Sequence, residues 1–263
     1  HMHSSFSADS DTPMEVMIHR AVETGLQGIT FTEHLDPDYP VTPDNLDFSL
    51  DISAYKEKLA ELSDIYKDKI QVRFGIELGL QMHLGEYFDS LLSQTPFDFV
   101  IGSSHLVHGY DPYYPEFFEG RKEFLCYMEY FESILENISA YDGFDVYGHI
   151  DYVVRYGPNK NREYSYGRYK DILDEILKKL ISMGKGIELN TGGYHYGLGE
   201  PNPCTAVIKR YRELGGEIIT IGADAHTPDK IACAFDKAAG VLEACGFRYY
   251  TIFKDRKPEF ISL

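Results

Sequence analysis

The chain is 263 residues long, enough for one α/β barrel domain or for two small domains. Hydrophobic residues make up 43% of it, which is enough for a sizeable core and excludes an intrinsically disordered chain. Its 42 acidic and 25 basic residues give a net charge of −17. This charge disfavours nucleic acid as a partner, because counterion release requires a basic surface. An anionic small molecule stays compatible with it, since bound metal ions can reverse the local field.

The cysteines and the hydropathy pattern bear on the cellular compartment. The four cysteines contain no C-x-x-C pair, and isolated cysteines of this kind are ordinarily free buried thiols. Nothing therefore predicts a disulfide framework. We find no signal peptide and no uninterrupted apolar stretch of about 18 residues, so we expect no membrane span. These observations favour a cytoplasmic protein.

Short runs of β-branched and aromatic residues alternate along the chain with amphipathic helical stretches. Repeated strand–helix units predict parallel strands with both faces covered, in a single domain over residues 1–263. We interpret the fold as an α/β barrel, and a doubly wound open sheet is the alternative. In chain order, strands are predicted at 28–32, 71–76, 98–102, 145–148, 186–189, 217–222 and 249–253, and helices at 13–24, 53–66, 85–92, 123–141, 169–183 and 205–214.

Metal-binding residue types fall where the predicted strands end. In a parallel barrel those ends converge on one face, so residues distant in sequence become neighbours. The pair His1 and His3 belongs to this pattern if a strand leads into His1. The side chains at these positions are His1, His3, His34, Glu77, His105, His149, Asp224 and His226.

The spacing of these residues predicts a metal site. In an extended segment, His1 and His3 lie on the same side, and Asp224 and His226 repeat that spacing. Taken singly, each has an ordinary alternative, such as a hydrogen-bonded structural histidine or an ion-paired Glu77. Eight such groups on one face would carry a large desolvation cost without a cation. Imidazole with carboxylate favours Zn, Fe or Mn.

The loops after the strands supply candidates for substrate contact. Arg155 lies six residues past His149, and its guanidinium matches a phosphate group; the alternative is a surface salt bridge. Residues 110–118 (YDPYYPEFF) form either a wall of the substrate pocket or a packed surface loop. His108 could contact substrate or protonate a leaving group, or be an exposed loop histidine, and His83 is similar.

The ordered motifs HMHS with FS, FTEH, GIE, GSSH, GHID and GADAH resemble the PHP (polymerase and histidinol phosphatase) superfamily. The resemblance spans the whole chain and is strongest to its monofunctional histidinol-phosphate phosphatases. It implies a distorted (β/α)7 barrel with a trinuclear metal centre. It also implies hydrolysis of L-histidinol phosphate to L-histidinol and phosphate, in histidine biosynthesis. Relatives carry a short segment before the first histidine, and we interpret its absence as late numbering or a trimmed start.

The resemblance implies three divalent ions, Zn, Fe or Mn. Glu77 would bridge the first two, and Asp9 stands where many relatives have histidine. The first ion would be held by His1, His3, Glu77 and Asp224, the second by Glu77, His105 and His149, and the third by Asp9, His34 and His226.

Catalysis would use a water activated between metal ions about 3.5–4 Å apart, attacking the phosphorus in line. We expect Arg155, Asp224 and His226 to act in catalysis. Phe6 and Tyr110 would stack on the substrate imidazole, with His108 nearby and acidic surroundings for the ammonium group. Three alternatives stay open: a phosphoesterase for nucleotide or sugar phosphates, a non-catalytic module, and metals with a structural role.

Overall fold

The computed structural model describes residues 1–263 and contains one parallel sheet that curves into a barrel. Its six strands are neighbours in chain order, and the register of each pair is parallel. The strands are β1 (Gly28–Leu35), β2 (Gln71–Gly79), β3 (Phe99–Ser103), β4 (Val146–Tyr147), β5 (Gly186–Asn190) and β6 (Ile219–Gly222). The helices are α1 (Met14–Glu23), α2 (Ile52–Tyr66), α3 (Gly85–Gln94), α4 (Glu123–Ala140), α5 (Lys170–Ser182), α6 (Gly192–His195), α7 (Thr205–Glu213) and α8 (Phe235–Ala244).

The first residues of the chain close the barrel between β6 and β1. The His1 carbonyl accepts from Asp224 N at 3.0 Å, and His3 N donates to the Ala225 carbonyl at 2.9 Å. On the other side, Thr32 N donates to the Met2 carbonyl at 2.9 Å. Residues 1–3 therefore occupy the position of a seventh strand, which confirms the distorted seven-membered barrel rather than the open sheet.

The predicted strand at 249–253 does not belong to the barrel. It forms β7 (Tyr249–Lys254), which pairs antiparallel with β8 (Lys257–Ser262), and neither β8 nor α8 was predicted. The hairpin covers the amino-terminal ends of the barrel strands, where Arg256 Nε donates to Asp145 at 2.6 Å and Phe253 stacks on Phe99 at 5.1 Å. It thus seals the end of the barrel opposite the predicted site.

The core lies between the barrel and its helices. β3 and β5 bury every residue and β2 buries its last six, as expected of strands covered on both faces. Tyr55 is buried from α2, and its hydroxyl donates to the carbonyls of Phe31 and Gly75, tying the helix to β1 and β2. All four cysteines are free, and no helix is long and apolar enough to cross a membrane.

Candidate metal centre

Glu77 is the centre of the cluster at the carboxyl ends of the strands. It is fully buried near the end of β2, beside His34 on β1. Both residues lie inside their strands rather than just past them, because β1 and β2 run three residues further than predicted. Each carboxylate oxygen of Glu77 faces a different set of imidazoles, so this one side chain connects the groups described next.

The first group contains His1, His3, Glu77 and Asp224. Glu77 Oε2 lies 3.0 Å from His1 Nε2 and 3.4 Å from His3 Nε2, and Asp224 Oδ1 lies 3.4 Å from both imidazole nitrogens. Ligands about 2.0–2.1 Å from a tetrahedral zinc ion would stand roughly 3.3 Å apart. The four atoms therefore already have the spacing of a metal coordination shell.

The second group uses the other oxygen of Glu77. Glu77 Oε1 lies 2.9 Å from His149 Nε2 and 3.3 Å from His105 Nε2. His149 follows β4 and His105 follows β3, so three neighbouring strands supply this group. The arrangement fits a second ion that shares Glu77 with the first.

The third group lies at the edge of the centre. Asp9 Oδ2 is 3.1 Å from His226 Nε2 and 3.6 Å from His34 Nε2, and the rings of His34 and His226 both stack on His3. Asp224 adopts a left-handed backbone with φ of 54°, a strained conformation that is common at functional sites. The turn after β6 thereby brings both Asp224 and His226 to the centre.

Hydrogen bonds to Nδ1 select the tautomer of four of the histidines. With Nδ1 protonated, each imidazole presents the lone pair of Nε2 to the centre, as metal-ligating histidines usually do. The Nε2 atoms of His3 and His105 are buried and have no hydrogen-bond partner, which a bound cation would explain. The partners of Nδ1 are the Glu188 carboxylate for His1 (2.7 Å), Ser7 Oγ for His3 (3.1 Å), the Asp36 carboxylate for His105 (2.7 Å) and the Asp224 carbonyl for His226 (3.0 Å).

The carboxylates and imidazoles of the cluster shift one another's pKa values. Burial alone would raise the pKa of Glu77, but the charges of His1, His34 and His105 hold that pKa well below its ordinary value. Burial alone would lower the pKa of His226, but Asp9 raises it to about 9. The carboxylates are therefore ionised in the absence of metal, and protons stand in for the cations.

Arg155 is buried beside the centre rather than exposed. It is 3% exposed, its Nη1 donates to Asp224 Oδ2 at 2.9 Å, and its guanidinium stacks on Tyr196 with 4.6 Å to the ring centroid. Burial lowers the pKa of Arg155, but Asp224 more than offsets this, so the net pKa is raised and the group stays cationic. The surface salt bridge considered as the alternative is thus wrong, and the arginine faces the same space as the metal ligands.

A cavity of about 350 Å³ opens on the second and third groups and on Arg155. Its far wall is acidic and aromatic, and comes from two loops that follow β1 and β3. Asp111 is buried there, accepting from the Tyr39 hydroxyl at 2.6 Å and from Tyr113 N at 2.7 Å. Tyr39, Asp44 and Tyr114 also line this wall, whereas Phe48 and Tyr152 line the cavity beside His34 and His149, with ring centroids 5.5 and 5.2 Å apart.

Three predicted substrate contacts lie away from this cavity. Phe6 packs on Tyr55 with 5.5 Å between ring centroids, as part of the core between the barrel and α2. Tyr110 is 63% exposed, and His108 is exposed between Glu129 and Glu136. The prediction is corrected here: the loop 110–118 does line the cavity, but through Asp111, Tyr113 and Tyr114. His83 is also exposed, beside Asp38.

The sequence interpretation missed the residues that orient the ligands. Asp36 and Glu188 bind the ligand imidazoles, while Asn190 and Asn202 bind Arg155. Asp36 lies two residues after His34, the spacing already noted for His1 and His3, and Glu188 is a charged residue inside the predicted strand GIEL. Both could therefore have been identified from the sequence. The two asparagines could not.

The fold and this donor set define a class: an α/β barrel with clustered His, Asp and Glu side chains, able to hold metal, at the carboxyl ends of its strands. Residues 1–192 match the PHP domain model. The chain is 31% identical over 258 residues to the histidinol-phosphatase of Lactococcus lactis subsp. lactis, covering 98% of this chain and 94% of that protein. It is 32% identical over 251 residues to a probable histidinol-phosphatase of Clostridium acetobutylicum, covering 94% and 93%.

A solved structure has the same fold over its full length. The crystal structure of the Lactococcus lactis histidinol phosphate phosphatase, complexed with zinc, L-histidinol and phosphate, superposes with a TM-score of 0.91 at 31% identity, covering 98% of this chain and 97% of that one. The chain belongs to the PHP domain family, as its motifs predicted.

Proposed function

We propose that this protein is a histidinol-phosphatase, which hydrolyses L-histidinol phosphate to L-histidinol and phosphate in histidine biosynthesis. The observation that carries the proposal is that three groups of potential metal ligands and a buried arginine lie together at a cavity that also has an acidic and aromatic wall. The relatives named above and the complex with L-histidinol and phosphate support the same activity. We also propose that the reaction takes place in the cytoplasm.

The metal complement that we propose is three divalent ions, with zinc the first choice. His1, His3, Glu77 and Asp224 would hold one, and Glu77, His105 and His149 the second. Asp9, His34 and His226 would hold the third, where a carboxylate among the donors suits a harder ion such as Mn as well. Bound there, the ions would neutralise phosphoryl oxygens and supply a hydroxide nucleophile near neutral pH.

The protein's own groups position the phosphate. Three of the five N–H donors of Arg155 are engaged by Asp224, Asn190 and Asn202, which leaves others for phosphoryl oxygens. Asp224 contacts His1 through Oδ1 and Arg155 through Oδ2, so it fixes the arginine relative to the first metal group. Asp224, His226 and Arg155 are therefore the side chains that we assign to catalysis. Each of them also lines the cavity.

The far wall of the cavity suits the alcohol part of L-histidinol phosphate. That part has an ammonium group and a flat imidazole, which match a carboxylate and aromatic side chains respectively. Asp111 is buried, and burial raises the pKa of its carboxyl group, so a cation that binds there would stabilise the ionised form. Asp111 is thus the proposed anchor for the ammonium group, flanked by Tyr113 and Tyr114.

The proposal is tested by kcat/KM of the zinc-loaded protein for L-histidinol phosphate, glucose 6-phosphate, AMP and p-nitrophenyl phosphate. We expect a preference of at least about tenfold for L-histidinol phosphate, which is about 1.4 kcal/mol in transition-state binding. A smaller preference would reject this substrate and favour a phosphoesterase for nucleotide or sugar phosphates.

A substitution at the far wall sharpens this test. Asp111→Asn should reduce kcat/KM for L-histidinol phosphate by about tenfold or more through loss of the charge-assisted contact. The rate with p-nitrophenyl phosphate, which has no ammonium group, should stay within about threefold, since the metal groups are untouched. Asp171→Asn, an exposed carboxylate on α5, is the matched control. An equal loss with both substrates would show that Asp111 acts on the fold and not on the ammonium group.

A further inference from the structure

Two asparagines lie side by side behind Arg155. Asn190 ends β5, and Asn202 lies in the loop that follows α6. Their backbones form an isolated antiparallel bridge, with N–H to carbonyl distances of 2.8 and 2.9 Å. Both side chains are fully buried, so their amide groups face only protein atoms.

Both amide oxygens accept hydrogen bonds from the arginine. Arg155 Nε donates to Asn202 Oδ1 at 2.9 Å, and Arg155 Nη2 donates to Asn190 Oδ1 at 3.1 Å. The orientation of each amide follows from its other partner, because a carboxylate accepts and does not donate. Asn202 Nδ2 donates to Asp151 Oδ1 at 2.5 Å, and Asn190 Nδ2 donates to Glu188 Oε2 at 3.0 Å.

Asp151 connects the two segments that carry this contact. It lies four residues before Arg155 on the turn after β4, and its Oδ2 accepts from the backbone N of Cys204 at 2.8 Å. The carboxylate is 1% exposed, and burial raises its pKa to about 6. Asp151 therefore holds the loop of Asn202 against the turn of Arg155.

Asparagine, rather than aspartate, at positions 190 and 202 leaves the positive charge of Arg155 available to bind an anion. Asparagine accepts a hydrogen bond from a guanidinium without neutralising it, whereas a carboxylate would form an ion pair. Of the three side chains that accept hydrogen bonds from Arg155, Asp224 alone is charged, and it is also a proposed metal ligand. The Asn202 side chain lies between Arg155 and the Asp151 carboxylate, so the negative charge of Asp151 does not contact the guanidinium.

We propose that Asn202, held in orientation by Asp151, is a positioning residue that aims the Arg155 guanidinium at the phosphoryl group and keeps a second carboxylate off it, so that a charge paired only with Asp224 can bind a dianion. This inference rests on the proposed function, since it names how that site recognises phosphate. It assigns a role to Asp151 of the GHID motif, which the metal ligands leave unexplained.

The test is an exchange of the two residue types, Asp151→Asn with Asn202→Asp. The exchange keeps the net charge and allows the same hydrogen bonds, but it places the carboxylate directly against Arg155 Nε. The measurement is the Kd of inorganic phosphate for the zinc-loaded protein by titration calorimetry, with zinc content per chain measured alongside. We expect phosphate binding to weaken by about tenfold or more while the zinc content stays unchanged.

A second variant covers the case in which the exchanged protein does not fold. Asn202→Ala removes one orienting contact and should weaken phosphate binding by about threefold or more, again at unchanged zinc content. Asn161→Ala is the matched control, because Asn161 ties a neighbouring loop through Leu198 O without contacting Arg155. Phosphate affinity equal to that of the wild type in either folded variant would overturn the inference.

The two proposals fail in different ways. Wild-type protein that binds phosphate but does not hydrolyse L-histidinol phosphate would reject the proposed function, while the Kd comparison would still decide the role of Asn202. Selective phosphatase activity with phosphate affinity unaffected by the exchange would reject the inference alone.

Discussion

At the scale of single residues, the site depends on Glu77. Its two oxygens face different imidazole groups, at 2.9–3.4 Å from five histidine nitrogens. A fully buried carboxylate surrounded by imidazoles is stable only while positive charge, either protons or metal ions, compensates it. Two of the three proposed metal sites therefore depend on the Glu77 carboxylate.

Replacing Glu77 by Gln should remove the bridge while keeping the side-chain volume. We expect the purified variant to contain about two fewer metal ions per chain, and kcat/KM to fall by about a hundredfold or more. Metal analysis and the phosphatase assay check this, with Glu86→Gln on the exposed face of α3 as control. If turnover per folded molecule stayed normal while only the Tm fell, the metals would be structural.

Protons and metals compete at the same histidines. Burial by itself lowers the pKa of the His226 imidazole, but Asp9 raises it to about 9, and carboxylate neighbours raise the pKa values of His1 and His105 well above the ordinary value despite burial. Zinc binding at pH 7 should therefore release more than one proton per chain, measured by calorimetry in buffers of different ionisation enthalpy. The release should shrink at pH 9.5, and release of the same size at both pH values would contradict the assignment.

The same pKa shift sets the direction of stability with pH in metal-free protein. The folded-state pKa of His226 lies above its ordinary value of 6.5, so its stabilising contribution is complete below pH 6.5. It is lost as the pH rises from 6.5 through about 9. We expect the Tm of EDTA-treated protein to fall across this interval, and a Tm that rose would show that Asp9 does not pair with His226.

At the scale of elements, the strand starts could be predicted because buried parallel strands are largely apolar runs, whereas β1 and β2 end three residues later than predicted. β2, β3 and β5 begin within one residue of the predicted starts. The closing segment of residues 1–3 is too short to show a pattern, and β8 is mostly exposed, so the closure and the hairpin depend on tertiary contacts. The clustering of the His, Glu and Asp side chains was predictable from residue type and position, whereas the contacts of Glu188, Asn190 and Asn202 depend on side-chain geometry that spacing does not encode.

The end of β2 offers a test at this scale. A Cβ added to Gly79 would overlap the carboxylate of Asp36, which orients His105. Gly79→Ala should displace Asp36 and weaken metal binding at the second group by about ten- to a hundredfold, in line with loss of a ligand's hydrogen-bond partner. Zinc competition with a chelator measures the change, and Gly240→Ala on α8, where a Cβ meets no neighbour, is the control. Unchanged affinity would show that Asp36 does not orient His105.

At the scale of the whole molecule, one end of the barrel is closed by the hairpin and the other end carries the proposed metal site. The hairpin seals the amino-terminal end through Arg256 and Phe253, while every metal-ligand group lies at the carboxyl end. The net charge of −17 is compatible with a phosphate substrate because the proposed cations, together with Arg155, would reverse the field inside the cavity. Activity should therefore follow metal content.

The most direct measurement is a zinc titration of metal-free protein, following kcat/KM for L-histidinol phosphate. We predict no activity without metal and a maximum at about three ions per chain, the number of ligand groups that the strand ends assemble. Activity that survives complete removal of metal, or that is already maximal at a single ion per chain, would contradict the account.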